Sequence, residues 1–177
     1  IAKYHGIKLQ EHGSKNVGAT NVARVIGRKA GILTLVGDIF KGILAVAIGS
    51  IFLDTLFTSL SGLFVVLGHC FSFPWRSKGG KGVATATGVF FFLNPMSALA
   101  GLATFIIIFA TTRIVSIGSI AAALIIPVYQ LLSVVSDKIL FPCMLISIVV
   151  VAKHHENIRR LIEGREPKFG QLEGKKV

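Results

Sequence analysis

Gly31-Ile32-Leu33-Thr34-Leu35-Val36-Gly37-Asp38-Ile39-Phe40-Lys41-Gly42-Ile43-Leu44-Ala45-Val46-Ala47-Ile48-Gly49-Ser50-Ile51-Phe52-Leu53 is the run on which the fold turns. It is apolar apart from Asp38 and Lys41, and it is long enough to span a bilayer, which takes about 20 residues. Five more apolar runs follow: Leu56 to about Trp75, Val83–Leu93, Met96–Thr112, Ile117–Val135 with Pro127 as a kink, and Ile139–Ala152. Short polar breaks separate them at Asp54-Thr55, Arg76–Lys81, Asn94-Pro95, Arg113 and Ser136-Asp137-Lys138. The expected architecture is all-α, a polytopic transmembrane helix bundle forming one membrane-embedded domain over residues 1–177. Val83–Leu93 is short for a full crossing and reads either as a tilted span or as a re-entrant helix.

Composition agrees. The chain of 177 residues is 53% hydrophobic and only 15% charged, with a mean hydropathy of +0.74. A soluble domain carries about 25% charged residues. The net charge of +11 would otherwise suggest nucleic-acid binding, but this much apolar sequence excludes that class. Charge also orients the chain. The segments 3–30, 76–81, 113 and 153–177 fall on one side and hold nearly all Lys and Arg outside the spans, whereas the opposite side holds only Lys138. The positive-inside rule makes the basic side cytosolic. Cys70 and Cys143 lie in apolar surroundings without metal-ligand spacing and read as buried free thiols. Ile1-Ala2-Lys3 reads as the tail of a helix, so a preceding transmembrane helix is expected to be missing; no signal peptide is visible.

Three polar clusters converge on the basic side. Gly13-Ser14-Lys15-Asn16-Val17-Gly18-Ala19-Thr20-Asn21 offers hydroxyls and amides, followed by Arg24. A helix starting near Gly18 would place Thr20 or Asn21, Arg24 and Arg28 on one face, a set suited to a phosphate. Lys78-Gly79-Gly80-Lys81-Gly82-Val83-Ala84-Thr85 combines three glycines with two lysines before a helix. Its backbone N–H groups can form an anion nest at the helix N-terminus, although it is not a Walker A motif. Lys153-His154-His155-Glu156-Asn157-Ile158-Arg159-Arg160-Leu161 ends the last span, with Lys153, Asn157 and Arg160 on one face. Adjacent histidines point apart, so a two-His metal site is not expected. A solvated basic turn or headgroup anchor is the plainer reading of each cluster taken alone. Asp38 and Lys41, three residues apart inside a span, read as a structural ion pair or as a unit that positions the cytosolic loops. His69 reads equally as a satisfied helix-end residue or a ligand contact. The chain has no GxSxG, no HExxH, no HxxxxD and few acidic residues in its cytosolic loops. It is built to bind anions and offers few proton acceptors.

In these three motifs, with Gly68-His69 and Gly164-Arg165-Glu166, the chain resembles the bacterial acyl-phosphate:glycerol-3-phosphate acyltransferases. The resemblance implies a seven-helix fold, here short of its first helix, in the bacterial cytoplasmic membrane with the active site facing the cytosol. It implies transfer of an acyl group from acyl phosphate to the 1-hydroxyl of glycerol 3-phosphate, without acyl-CoA, metal or other cofactor, and with a substrate phosphate as base. Membrane lipid is then the remaining partner, and nucleic acid is not one. By motif position, Ser14, Asn16, Lys81, His154 and Asn157 are the implied catalytic residues. Thr20, Asn21, Arg24, Lys78, Gly79, Gly80 and Gly82 are the implied substrate-binding residues. Lys15 departs from the Gly that many members carry and adds charge beside the phosphate site. Two other classes fit a basic membrane chain less well. An organic-anion transporter would need polar residues at the span midplanes. A membrane scaffold leaves the three motifs unexplained.

Overall fold

The computed structural model describes residues 6–71 and 79–170, and these are helical apart from connecting turns. A 3-10 turn at Leu9–Glu11 leads to eight α-helices: α1 Ala19–Val25, α2 Arg28–Phe52, α3 Thr55–Phe71, α4 Val83–Leu93, α5 Pro95–Thr112, α6 Val115–Leu132, α7 Asp137–Ala152 and α8 His155–Ile162. The six apolar runs are α2 to α7. Trp75, where the second run was expected to end, lies outside the described residues.

Side-chain distribution identifies the solvent. Ile32, Leu33, Phe40, Ile51 and Phe52 of α2 face outward, and Leu132 of α6 is 78% exposed. Inside, Ser59, Thr85, Ser97, Ser119, Gln130 and Ser147 are buried. Large apolar residues outside and small or polar ones between helices is the arrangement that lipid favours. The molecule is therefore a multi-pass membrane bundle. Length and composition alone qualify α2, α5 and α6 as spans, and α7 with α8 makes a fourth if that bent pair is counted as one.

Helix α4 explains the short run. Its eleven residues rise only about 16 Å at 1.5 Å each, roughly half a hydrocarbon core. Its middle is buried at Thr85, Ala86, Gly88, Val89 and Phe90, and it packs on α2, α3, α5 and α7. A helix shielded by protein has no need to match the bilayer. The α2–α4 crossing is close enough to require glycine on both sides. A Cβ on Gly42 would stand 2.2 Å from the Thr85 carbonyl oxygen, and one on Gly88 would stand 2.1 Å from that of Ile39.

Local chemistry sets the helix ends. Asn94 caps α5, its Oδ1 accepting from Ser97 N–H at 3.0 Å, with Pro95 in the first turn. Gly27, at φ 132°, breaks the chain between α1 and α2. The expected face of Thr20 or Asn21, Arg24 and Arg28 is therefore not one face, because Arg28 begins α2. The break between α7 and α8 bends the chain by 52°, which likewise separates Lys153 from Asn157 and Arg160. Cys70 and Cys143 are buried and free.

Candidate active site at the basic end of the bundle

The Gly13–Gly18 loop is clipped together by two amides. Asn21, buried at the start of α1, accepts from Ser14 N–H at 2.9 Å and donates to the carbonyls of Asn16 (2.7 Å) and His12 (3.1 Å). Asn16 Oδ1 in turn accepts from Gly18 N–H at 2.8 Å. Gly13, at φ 59°, has Asn21 Oδ1 where a Cβ would sit, so the turn closes only with glycine there. Lys15, at φ 58°, occupies the left-handed region without that excuse. Asn21 thus shapes the loop. Ser14 Oγ, Thr20 Oγ1 and the Arg24 guanidinium hydrogen-bond to no other described residue.

The glycine turn folds onto the C-terminal end of α3. Gly80 N–H donates to the His69 carbonyl at 3.1 Å. A Cβ on Gly79 would meet the same oxygen at 2.2 Å, and one on Gly80 would meet His69 Nε2 at 2.0 Å. Gly82, at φ 82°, then reverses the chain into α4. These glycines permit close approach, and the Gly80 N–H is spent inside the protein rather than offered to an anion. Lys78 lies outside the described residues.

Lys81 leaves this turn for the third cluster. Its ammonium donates to Asn157 Oδ1 at 2.5 Å, and Asn157 Nδ2 donates to Glu166 Oε1. The Glu166 carboxylate also accepts from Ser116 Oγ and Arg160 Nε, each at 2.7 Å. A strap after α8 delivers Glu166. Gly164 turns it at φ 66°, and beyond it Phe169 N–H donates to the Arg113 carbonyl at 2.7 Å while its ring packs edge-on against Phe109. The first turn of α6 and α8 thereby meet at one carboxylate, and the glycine turn joins them through Asn157.

Burial and mutual charge set the protonation states. Burial lowers Lys81 to about 8, against the attraction of Glu166 and with the help of Arg160 and Arg24. Burial also lowers Arg24, which Glu166 partly offsets; a guanidinium stays charged regardless. Burial would raise Glu166, but the hydrogen bonds from Asn157, Ser116 and Arg160 outweigh it and hold the carboxyl below its usual range. His154 is buried, and that burial lowers it to about 4. The ring is therefore neutral near pH 7, and Nδ1 must be its donor because it meets the Val150 carbonyl at 2.7 Å. Nε2 is left as an acceptor. The site as a whole gathers Arg24, Lys81 and Arg160 about the Glu166 carboxylate, an excess of positive charge suited to a phosphate.

Comparisons with known proteins give the family and the fold. Residues 1–164 match the family model described as glycerol-3-phosphate acyltransferase. The chain belongs to the glycerol-3-phosphate acyltransferase family. A glycerol-3-phosphate acyltransferase of Trichlorobacter lovleyi is 45% identical over 96% of this chain and 88% of its own length. That of Geobacter sulfurreducens is 43% identical over the same shares. The crystal structure of PlsY (YgiH), an integral membrane glycerol 3-phosphate acyltransferase in its glycerol 3-phosphate form, is similar with a TM-score of 0.91. It is 40% identical, covering 97% of this chain and 87% of that one.

Within this family member, the structure brings Arg24, Lys81, His154 and Asn157 to one end of the bundle, with the Gly13–Asn21 loop leading into Arg24. Glu166 and Ser116 were missed as site residues by sequence reasoning. Glu166 was visible as the end of the third motif, and Arg160 was noted beside it. Ser116 gave no signal, since a serine opening an apolar helix reads as a cap. A cavity of about 560 Å3 lies elsewhere, between Ile7–Gln10, Val17, Val22 and the Leu33–Asp38 face of α2. It does not include Lys81.

Proposed function

We propose that the chain transfers an acyl group from acyl phosphate to the 1-hydroxyl of glycerol 3-phosphate, releasing lysophosphatidic acid and phosphate. The supporting observation is the set of cations Arg24, Lys81 and Arg160 around Glu166, beside a neutral His154. It is a site rich in anion partners and poor in bases. The names of the relatives support the acceptor, and PlsY was solved in glycerol 3-phosphate and lysophosphatidic acid forms.

In this reading Arg24, Ser14, Thr20 and Asn21 form the wall that holds the acceptor's phosphate, with Asn21 acting through the loop it shapes. The Gly79, Gly80 and Gly82 turn flanks the acyl phosphate. Lys81 neutralises charge that develops as the acceptor oxygen bonds to the carbonyl carbon and the bond to the phosphate oxygen breaks. Asn157 and Asn16 hold Lys81 and the loop in register. His154 Nε2 accepts a hydrogen bond from the hydroxyl and orients it. At a pKa of about 4 it is a poor proton acceptor at neutral pH. A phosphate, with a second pKa of about 6, is better matched. The proton therefore leaves on a substrate phosphate, and alignment of the two substrates contributes up to roughly 7–11 kcal/mol of barrier lowering. The basic end of the bundle faces the cytosol of a bacterial cell, across its cytoplasmic membrane.

The test is phosphate release from palmitoyl phosphate by purified protein, with and without glycerol 3-phosphate, and a parallel arm with palmitoyl-CoA. Release that depends on glycerol 3-phosphate, absence of transfer from the CoA ester, and loss of that release in Lys81→Ala are expected. Transfer from the thioester, or full activity of Lys81→Ala, would overturn the donor or the site assignment respectively.

A further inference from the structure

Asp38 and Lys41 form the ion pair expected from their spacing, but the structure adds a third member from another helix. Lys41 Nζ lies 2.6 Å from Asp38 Oδ1 and 2.5 Å from His69 Nδ1 on α3. An ammonium only donates, so Nδ1 accepts and the ring carries its proton on Nε2. The side chains of Asp38 and His69 are 15% and 11% exposed, and that of Lys41, between them, is 38% exposed, so the carboxylate and the ring are shielded while the lysine is partly open. A fully solvated pair contributes little; here two of the three members are shielded, and the lysine that joins them ties α2 to α3.

The other side of His69 bears on the glycine turn. Nε2 occupies the space a Cβ on Gly80 would need, and the His69 carbonyl receives the Gly80 N–H. The next carbonyl, that of Cys70, accepts from Lys153 Nζ at 2.9 Å. Gly80 is bonded directly to Lys81, whose ammonium reaches Asn157. A continuous set of contacts thus runs from Asp38 through Lys41, His69 and Gly80 to Lys81.

We propose that Asp38, Lys41 and His69 form a positioning unit, in which the Lys41 bond fixes the His69 ring and the ring with its carbonyl fixes the Gly79–Lys81 turn. None of the three touches substrate. Their contribution is to the placement of Lys81, and the inference rests on the acyl-transfer reading above.

The decisive comparison is Lys41→Met against the double variant Asp38→Asn/Lys41→Met. The single variant strands a shielded carboxylate, so stability and activity fall together. The double variant removes both charges and recovers thermal stability. If the unit positions the turn, kcat stays down by about tenfold or more while KM for glycerol 3-phosphate holds within about threefold, since small misplacements of a catalytic group are costly in rate. A double variant with parental kcat overturns the proposal, because a purely structural pair would be fully replaced. His69→Asn is a second route should the double variant fail to insert. It keeps an acceptor for Lys41 but removes the ring wall against Gly80, so kcat falls; parental kcat again overturns the proposal. Reductive methylation of Lys81, followed by mass spectrometry, reads the turn without catalysis. It should accelerate in both variants, and an unchanged rate refutes the placement argument. If the parent protein transfers no acyl group, the functional reading fails, and the Lys81 labelling still decides this one.

Discussion

Replacing Asn157 by Asp exchanges an NH2 group for an oxygen and leaves the shape of the site intact. In the native protein Asn157 Nδ2 donates to Glu166 Oε1 at 2.5 Å, while Oδ1 accepts from Lys81. In the variant that first contact becomes carboxylate against carboxylate. With both groups ionised about 3 Å apart, at an effective dielectric of about 20, the repulsion is about 5 kcal/mol. Keeping a proton on one ordinary carboxyl near pH 7 costs about 4 kcal/mol, roughly three pH units at about 1.4 kcal/mol each. The second cost is the smaller, so the folded pair shares one proton. Lys81 gains a charged partner, which returns about 1–2 kcal/mol and leaves the variant destabilised by about 2–3 kcal/mol. The shared proton is bound in the folded state and released on unfolding. Stability relative to the parent therefore rises as pH falls from about 7 to about 5, by up to about 1.4 kcal/mol per unit. Thermal unfolding of both proteins in the same detergent at stepped pH measures this, and groups common to both cancel in the difference. A difference in Tm that is flat across this range, or absent near pH 7, would refute the Asn157–Glu166 contact on which the site is built.

Three further outcomes follow from the same structure. Lys81, lowered to about 8 by burial, loses its charge as pH rises through that value. The kcat/KM for acyl transfer should show an alkaline limb there, and the limb should disappear in Lys81→Arg even if that enzyme is slower. His154 is neutral in the fold and lowered to about 4 by burial, against about 6.5 for a free histidine. Its contribution to stability is whole above about 6.5 and is lost as pH falls toward about 4, roughly 3 kcal/mol in total; His154→Asn should flatten that part of the Tm profile. Gly42→Ala places a methyl 2.2 Å from the Thr85 carbonyl oxygen and should cost about 1–3 kcal/mol by prising α2 from α4. Gly37→Ala on the same helix, where a Cβ meets nothing within 4 Å, should be neutral or stabilising.

The fold was legible because lipid imposes a coarse rule that a single chain must obey locally. Six apolar runs and their polar breaks marked α2 to α7, and Val83–Leu93 was placed to the residue because Gly82 and Asn94-Pro95 bound it. The three motifs stood out for a related reason: lysine, arginine and amide side chains clustered at span ends have little use in an apolar core. The sequence alone could not say how these residues divide between binding substrate and building the site. Asn21 and Gly80 read as ligand contacts, but their polar groups are engaged by the Gly13–Gly18 loop and by His69. Arg28 read as part of one face with Arg24 until the break at Gly27 assigned it to another helix. Glu166 and His69 acquired their places only when the strap after α8 and the end of α3 met residues distant along the chain. Helix and span are decided by periodicity and hydropathy over neighbouring residues. A hydrogen-bond partner 50 to 80 residues away, such as Glu166 for Ser116 or Asn157 for Lys81, is decided only when packed helices bring their ends together.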